Sequence, residues 1–161
     1  MRLAITLVAA FAAIVTAAAL AGTQAGGTRT FGAKLVSKGE VPPAVGAASA
    51  TGSFSAAGSY TCGAKEKNCL QKPGKLTWTL KFKNLTGPAL LAHIHLGKPG
   101  VSGPVAISLC APCKSGQTGT ISVSKAVFAA IFANGAYVNI HTKKNPGGEV
   151  RGQLKPLTAT L

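Results

Sequence analysis

Lys75-Leu76-Thr77-Trp78-Thr79-Leu80-Lys81-Phe82-Lys83 alternates without a break. Side chains along an extended strand point to opposite faces in turn, so Leu76, Trp78, Leu80 and Phe82 share one face, and lysines and threonines take the other. The pattern predicts a strand over 75–85 with one buried face and one basic, hydroxyl-bearing face. A half-buried strand of this kind belongs to an antiparallel sheet.

Outward from this stretch, Gly and Pro recur at short intervals, the mark of many short strands. Strands are expected at 30–37, 49–57, 89–96, 104–109, 119–123, 136–142 and 148–155. Pro42-Pro43 breaks pairing after the first, and Asn145-Pro146-Gly147-Gly148 is a strong turn signal before the last. The segment 62–72 reads as a long hairpin tip. Between 124 and 134 the period changes: Val127, Phe128, Ile131 and Phe132 recur at helical spacing, with Ser124 placed to cap the start and Asn134-Gly135 the end. The fold class expected is all-β, an antiparallel Greek-key sandwich or barrel with one short helix. No internal repeat or linker divides the chain.

Residues 1–25 carry one charge, Arg2, ahead of an apolar run from Leu3 to Leu20 and a small-residue exit. This predicts a secretory signal cleaved after Ala21 or Ala25, followed by a single domain, 26–161, with its core at 31–154. The competing reading is an uncleaved anchor, since the run approaches the ~18 residues that cross a bilayer. The Ala-rich run and the Gly/Thr-rich exit favour cleavage, and no later segment is long and apolar enough to span.

The net charge is +14, with three acids, Glu40, Glu66 and Glu149, and no Asp. Such a balance attracts polyanions, which points to an anionic surface polymer or an extracellular protein as partner. The lysines are scattered and the few aromatics do not interleave with them, which argues against nucleic acid. In an exported chain the four cysteines, Cys62, Cys69, Cys110 and Cys113, read as disulfides, with three connectivities open. A four-cysteine zinc site is the alternative and needs both pairs to converge.

His93 and His95 stand two apart on one predicted strand and so share a face, opposite the apolar Leu90, Ala92, Ile94 and Leu96, which are expected to face the core. They are expected to face outward or into a space covered by loops. Tyr137, Asn139 and His141 share a face of the next strand; Glu149, Arg151 and Gln153 share a face of the last. If these strands are neighbours, the polar residues converge. Three imidazoles suit copper or zinc. Glu149 is then expected as a fourth ligand or as a partner fixing a histidine tautomer, and Arg151 as an anion binder. The competing reading is a hydrogen-bonded network that only specifies the strand arrangement.

Three motifs in order resemble the CHRD domain, the repeat domain named after chordin. They are Glu40-Val41-Pro42-Pro43; Ala92-His93-Ile94-His95-Leu96-Gly97 with Gly100 and Gly103-Pro104-Val105; and Tyr137-Val138-Asn139-Ile140-His141-Thr142 with Asn145-Pro146-Gly147-Gly148-Glu149-Val150-Arg151-Gly152-Gln153-Leu154. The resemblance runs from Phe31 to Leu154; the cysteine-bearing segments look like additions to it. Such domains occur in chordin, which binds secreted growth factors, and as stand-alone exported microbial proteins without an assigned activity. The resemblance therefore implies an exported binding or structural module. It does not carry chordin's partner to one basic domain that lacks von Willebrand-type modules.

His93, His95, His141 and Arg151 are also similar in order and type to the copper-site residues of copper/zinc superoxide dismutases, which are Greek-key barrels. A bridging histidine, an Asp zinc ligand and the zinc loop are all missing, so the similarity implies at most a mononuclear three-histidine copper site. No nucleophile–base pair, paired carboxylates or phosphate loop is legible, so enzymatic chemistry is not expected beyond copper-dependent redox activity.

Overall fold

A computed structural model describes residues 26–61 and 74–157. The predicted signal segment and the Cys62–Cys69 region of the hairpin tip lie outside the described residues. Among the described residues nine strands form one antiparallel sheet: β1 (Gly26–Val36), β2 (Thr51–Thr61), β3 (Gly74–Lys83), β4 (Leu91–Leu96), β5 (Val105–Cys110), β6 (Gln117–Val123), β7 (Ala136–His141), β8 (Val150–Gln153) and β9 (Lys155–Pro156). Their order is β5-β4-β7-β8-β1-β2-β3-β6, with β9 also paired to β1. No helix among the described residues is long and apolar enough to cross a membrane.

β5 and β6 are consecutive in the chain yet lie at opposite ends of this order. Seven inter-strand spacings laid flat would measure about 34 Å. The link from Cys110 to Gln117 reaches at most about 25 Å. The sheet must therefore curl until its ends approach, which gives a nearly closed barrel. The link is held there by the Cys110–Cys113 disulfide and by Gly116 N–H donating to Leu80 O at 2.8 Å. Cys110 and Cys113 thus pair locally, and neither is a thiolate available to zinc.

The inward faces build the core from Phe31, Leu35, Phe54, Leu76, Trp78, Leu80, Ile94, Val138, Ile140 and Val150. Helix α1 (Lys125–Phe132) closes one end and buries Val127, Phe128 and Ile131. Ser124 Oγ accepts from Val127 N–H, and Asn134 ends the helix at φ 55°. Phe31 packs against Phe128 and edge-on to Phe132, with ring centroids 6.1 and 5.5 Å apart.

The two halves of the sheet differ in what covers their outer faces. β3 alternates buried and exposed residues, as the sequence predicts for a half-solvated strand. Every residue of β7 is buried, including Tyr137, Asn139 and His141 on its polar face. Two loops, 97–104 and 142–149, cover that face, and the histidines lie beneath them.

A candidate metal centre

β4 pairs with β7, and β7 with β8. The register sets His93 opposite Asn139, His95 opposite Tyr137, and Asn139 opposite Arg151. The convergence expected of three neighbouring strands is realised for the histidines, whose ligand nitrogens all lie within 4.8 Å of one another. His95 and His141 are buried, and His93 is half-buried at the rim.

The hydrogen bonds fix which nitrogen faces the cluster. His141 Nδ1 lies 2.9 Å from Pro146 O, and His95 Nδ1 lies 2.8 Å from Gly103 O. A carbonyl only accepts, so both Nδ1 atoms carry the proton. In the neutral rings both Nε2 atoms then hold a bare lone pair. His95 Nε2 is buried with no hydrogen-bond partner. His141 Nε2 is 3.1 Å from His93 Nδ1 and 3.0 Å from Asn139 Oδ1. Lone pairs from several acceptors thus meet in one small space, an arrangement that a cation relieves.

The His93 and His141 rings are held toward the neutral form, which a metal ligand needs. Burial, with the nearby His141 and His95 adding to it, holds His93 down at about 4. Burial also lowers His141, against a raising contribution from Pro146 O and with His95 adding to the lowering.

Arg151 is directed at the 97–104 loop rather than at the histidines. It is buried, and its Nη2 donates to Lys98 O at 3.0 Å and Val101 O at 2.9 Å. Its guanidinium carbon lies 3.4 Å from the Tyr137 ring centre. The His95 ring stacks on the same tyrosine at 4.8 Å and 9°. β4 and β8 flank β7, so Tyr137 lies between His95 and Arg151. Arg151 thereby holds down the 97–104 loop, whose Gly103 carbonyl orients His95.

Glu149 is likewise not at the histidines. It precedes β8, after Gly148 at φ 133°, so strand alternation does not apply to it. Its carboxylate accepts from Thr86 N–H and Thr86 Oγ, both at 2.5 Å, from Thr142 Oγ at 2.5 Å and from Asn145 Nδ2 at 3.0 Å. These bonds lock the 142–149 turn, which carries the Pro146 carbonyl that orients His141. Glu149 is a positioning residue two steps from the site.

Glu40 explains why distant motif segments belong together. Its buried carboxyl lies against Gly148, where a Cβ would overlap both carboxyl oxygens. The Val41–Pro42 peptide is cis, in the Glu40–Pro43 segment that leads the chain away from this contact. Glu40 Oε1 has no hydrogen-bond partner. Burial raises its pKa to about 7, against the lowering effects of Arg151 and of Val41 N–H. Between the ordinary 4.5 and 7 the unfolded chain releases this proton while the folded chain keeps it. Stability should therefore fall by about 3 kcal/mol as pH rises through that window, and level off above it. Glu40→Gln should flatten this part of the profile and be the more stable protein at pH 8, as urea unfolding at pH 5 and 8 would reveal.

Of the residues that sequence reasoning singled out, the structure brings His93, His95, His141 and Asn139 together. Sequence reasoning missed Tyr137 as the ring between Arg151 and His95, and Thr86 as a partner of Glu149. It also missed the Gly103 and Pro146 carbonyls, whose roles belong to the backbone and leave no side-chain signal.

A family model described as the CHRD domain matches residues 31–154. No curated protein and no solved structure matches the chain.

Proposed function

The chain belongs to the CHRD domain family, and from that premise we propose that it is an exported binding module whose ligand is a single copper ion held by His93, His95 and His141. The family match supports a binding or structural module; the metal comes from the site. The observation that carries it is His95 Nε2, buried, without a partner, and facing the same space as His93 Nδ1 and His141 Nε2. A purely structural network would satisfy such an atom, because a buried unpaired polar group costs about 1–3 kcal/mol.

Copper is favoured over harder ions by the donor set. Among the described residues the three imidazoles stand without a carboxylate, since Glu40 and Glu149 lie elsewhere, and copper heads the affinity order for nitrogen ligands. The Gly103 and Pro146 carbonyls hold two rings with Nε2 presented, the outer-shell contact that metal-binding histidines use. A bound copper ion would supply one-electron redox chemistry, with His93 at the rim as the route of entry.

The test is copper and zinc content after stripping and reloading with one equivalent of metal. About one copper per chain is expected in the parent protein and none in His95→Ala or His141→Ala, with a copper-dependent rise in melting temperature only in the parent. A parent protein that takes up no copper, beside variants that are merely less stable, would overturn the proposal and leave the histidines as architecture.

A further inference from the structure

Independently of the histidines, the exposed outer face of β1–β2–β3 carries a different kind of site. Glu40 and Glu149, the two acids among the described residues, are both buried. The charged side chains exposed among the described residues are therefore all lysines and arginines, with no surface carboxylate to pair them. The register gathers three of these cations. Lys34 on β1 is opposite Ser53 on β2, Ser53 is opposite Lys81 on β3, and Thr51 is opposite Lys83.

Adjacent strands lie about 4.8 Å apart and alternate residues about 7 Å apart. Lys34 and Lys81 thus stand two strands apart across Ser53, with Lys83 one step along the same face. These residues, with Thr51, Gly52 and Phe82, line a shallow groove of about 410 Å³. Toward β6 the face continues as hydroxyls, where Thr77 and Thr120 are 3.1 Å apart.

We propose that this groove binds an acidic polysaccharide, its lysines taking the carboxylate or sulfate groups and its serine and threonines the sugar hydroxyls. Three cations at fixed spacings, with no exposed carboxylate among the described residues to pair them, match anions placed along a chain. Hydroxyl donors match a ligand that is itself rich in hydroxyls. Single-stranded nucleic acid would instead call for a series of exposed rings on which successive bases stack. Trp78 and Phe54 are turned into the core, stacked on each other at 6.3 Å.

The experiment measures binding of the protein to heparin, a sulfated and carboxylated chain, across a salt series. It compares Lys34→Ser/Lys81→Ser/Lys83→Ser with Lys98→Ser/Lys125→Ser/Lys143→Ser, which removes the same charge from exposed positions elsewhere. The groove variant should bind at least ~10-fold more weakly, with the slope of log affinity against log salt reduced by about three, one per cation removed. The control should lose less than ~3-fold. Melting curves of both variants should match the parent, since all six side chains are exposed. Equal losses in the two variants would overturn the site and leave only diffuse charge. Tighter binding of duplex DNA than of heparin, lost selectively in the groove variant, would overturn the polysaccharide in favour of nucleic acid.

Discussion

Glu149→Ala lowers the stability of the domain by about 3–5 kcal/mol, the range for stripping one partner from a buried charged network. The carboxylate is fully buried and accepts four hydrogen bonds, two from Thr86 and one each from Thr142 and Asn145. Alanine leaves the Thr86 N–H without its acceptor and leaves the Thr86 and Thr142 hydroxyls only each other at 3.4 Å, while Asn145 Nδ2 keeps Val45 O at 3.2 Å. Glu149→Gln is the informative companion: its amide keeps one acceptor oxygen but sets an NH₂ group against donors, so about half the cost should remain. Burial pushes the Glu149 carboxyl up, but the bonds from Thr142, Thr86 and Asn145 outweigh it and hold the group below its ordinary value. A group with a depressed folded-state pKa stabilises the fold above its unfolded value and loses that contribution as pH falls through the folded one. The parent should therefore lose this contribution below about pH 4.5, and Glu149→Ala should lack that acid limb. Urea unfolding at pH 7 and pH 3 gives both quantities. A cost under ~1 kcal/mol at pH 7 would mean that water replaces the carboxylate and that the turn does not depend on it.

Gly148→Ala should cost about 2–4 kcal/mol, from two separable causes. Gly148 has φ 133°, a conformation reserved in practice for glycine. A methyl group there also overlaps the Glu40 carboxyl, which is itself buried. In a double-mutant cycle with Glu40→Ala, the overlap should vanish and the backbone strain remain, a coupling of about 1–2 kcal/mol. Strict additivity would show that the two motif segments do not depend on each other. Because the same turn carries the carbonyl that orients His141, both substitutions should also weaken copper binding.

The alternation at Lys75–Lys83 was enough to place a half-solvated strand, and the His93/His95 spacing enough to put both rings on one face, because period two is a property of any extended chain. Ser124 and Asn134 marked the helix for equally local reasons. Alternation failed at Glu149, where a glycine-dependent backbone shifts the residue out of strand parity just before pairing begins. Arg151 was placed on the correct face, but its guanidinium was already committed to two carbonyls of a loop about fifty residues away, which no local pattern reveals. For the histidines the sequence left two placements open, outward or under loops, and the choice depends on where the 97–104 and 142–149 loops fold. The basic face of β3 was legible; its alignment with Lys34 required the register of β1 on β2.

The most direct test of the three-histidine centre is diffraction at the copper absorption edge from crystals of the protein reloaded with one equivalent of copper. A single anomalous peak in contact with His93 Nδ1, His95 Nε2 and His141 Nε2 is the result expected. Fully loaded crystals with no peak among these rings, or with the peak elsewhere on the chain, would contradict it.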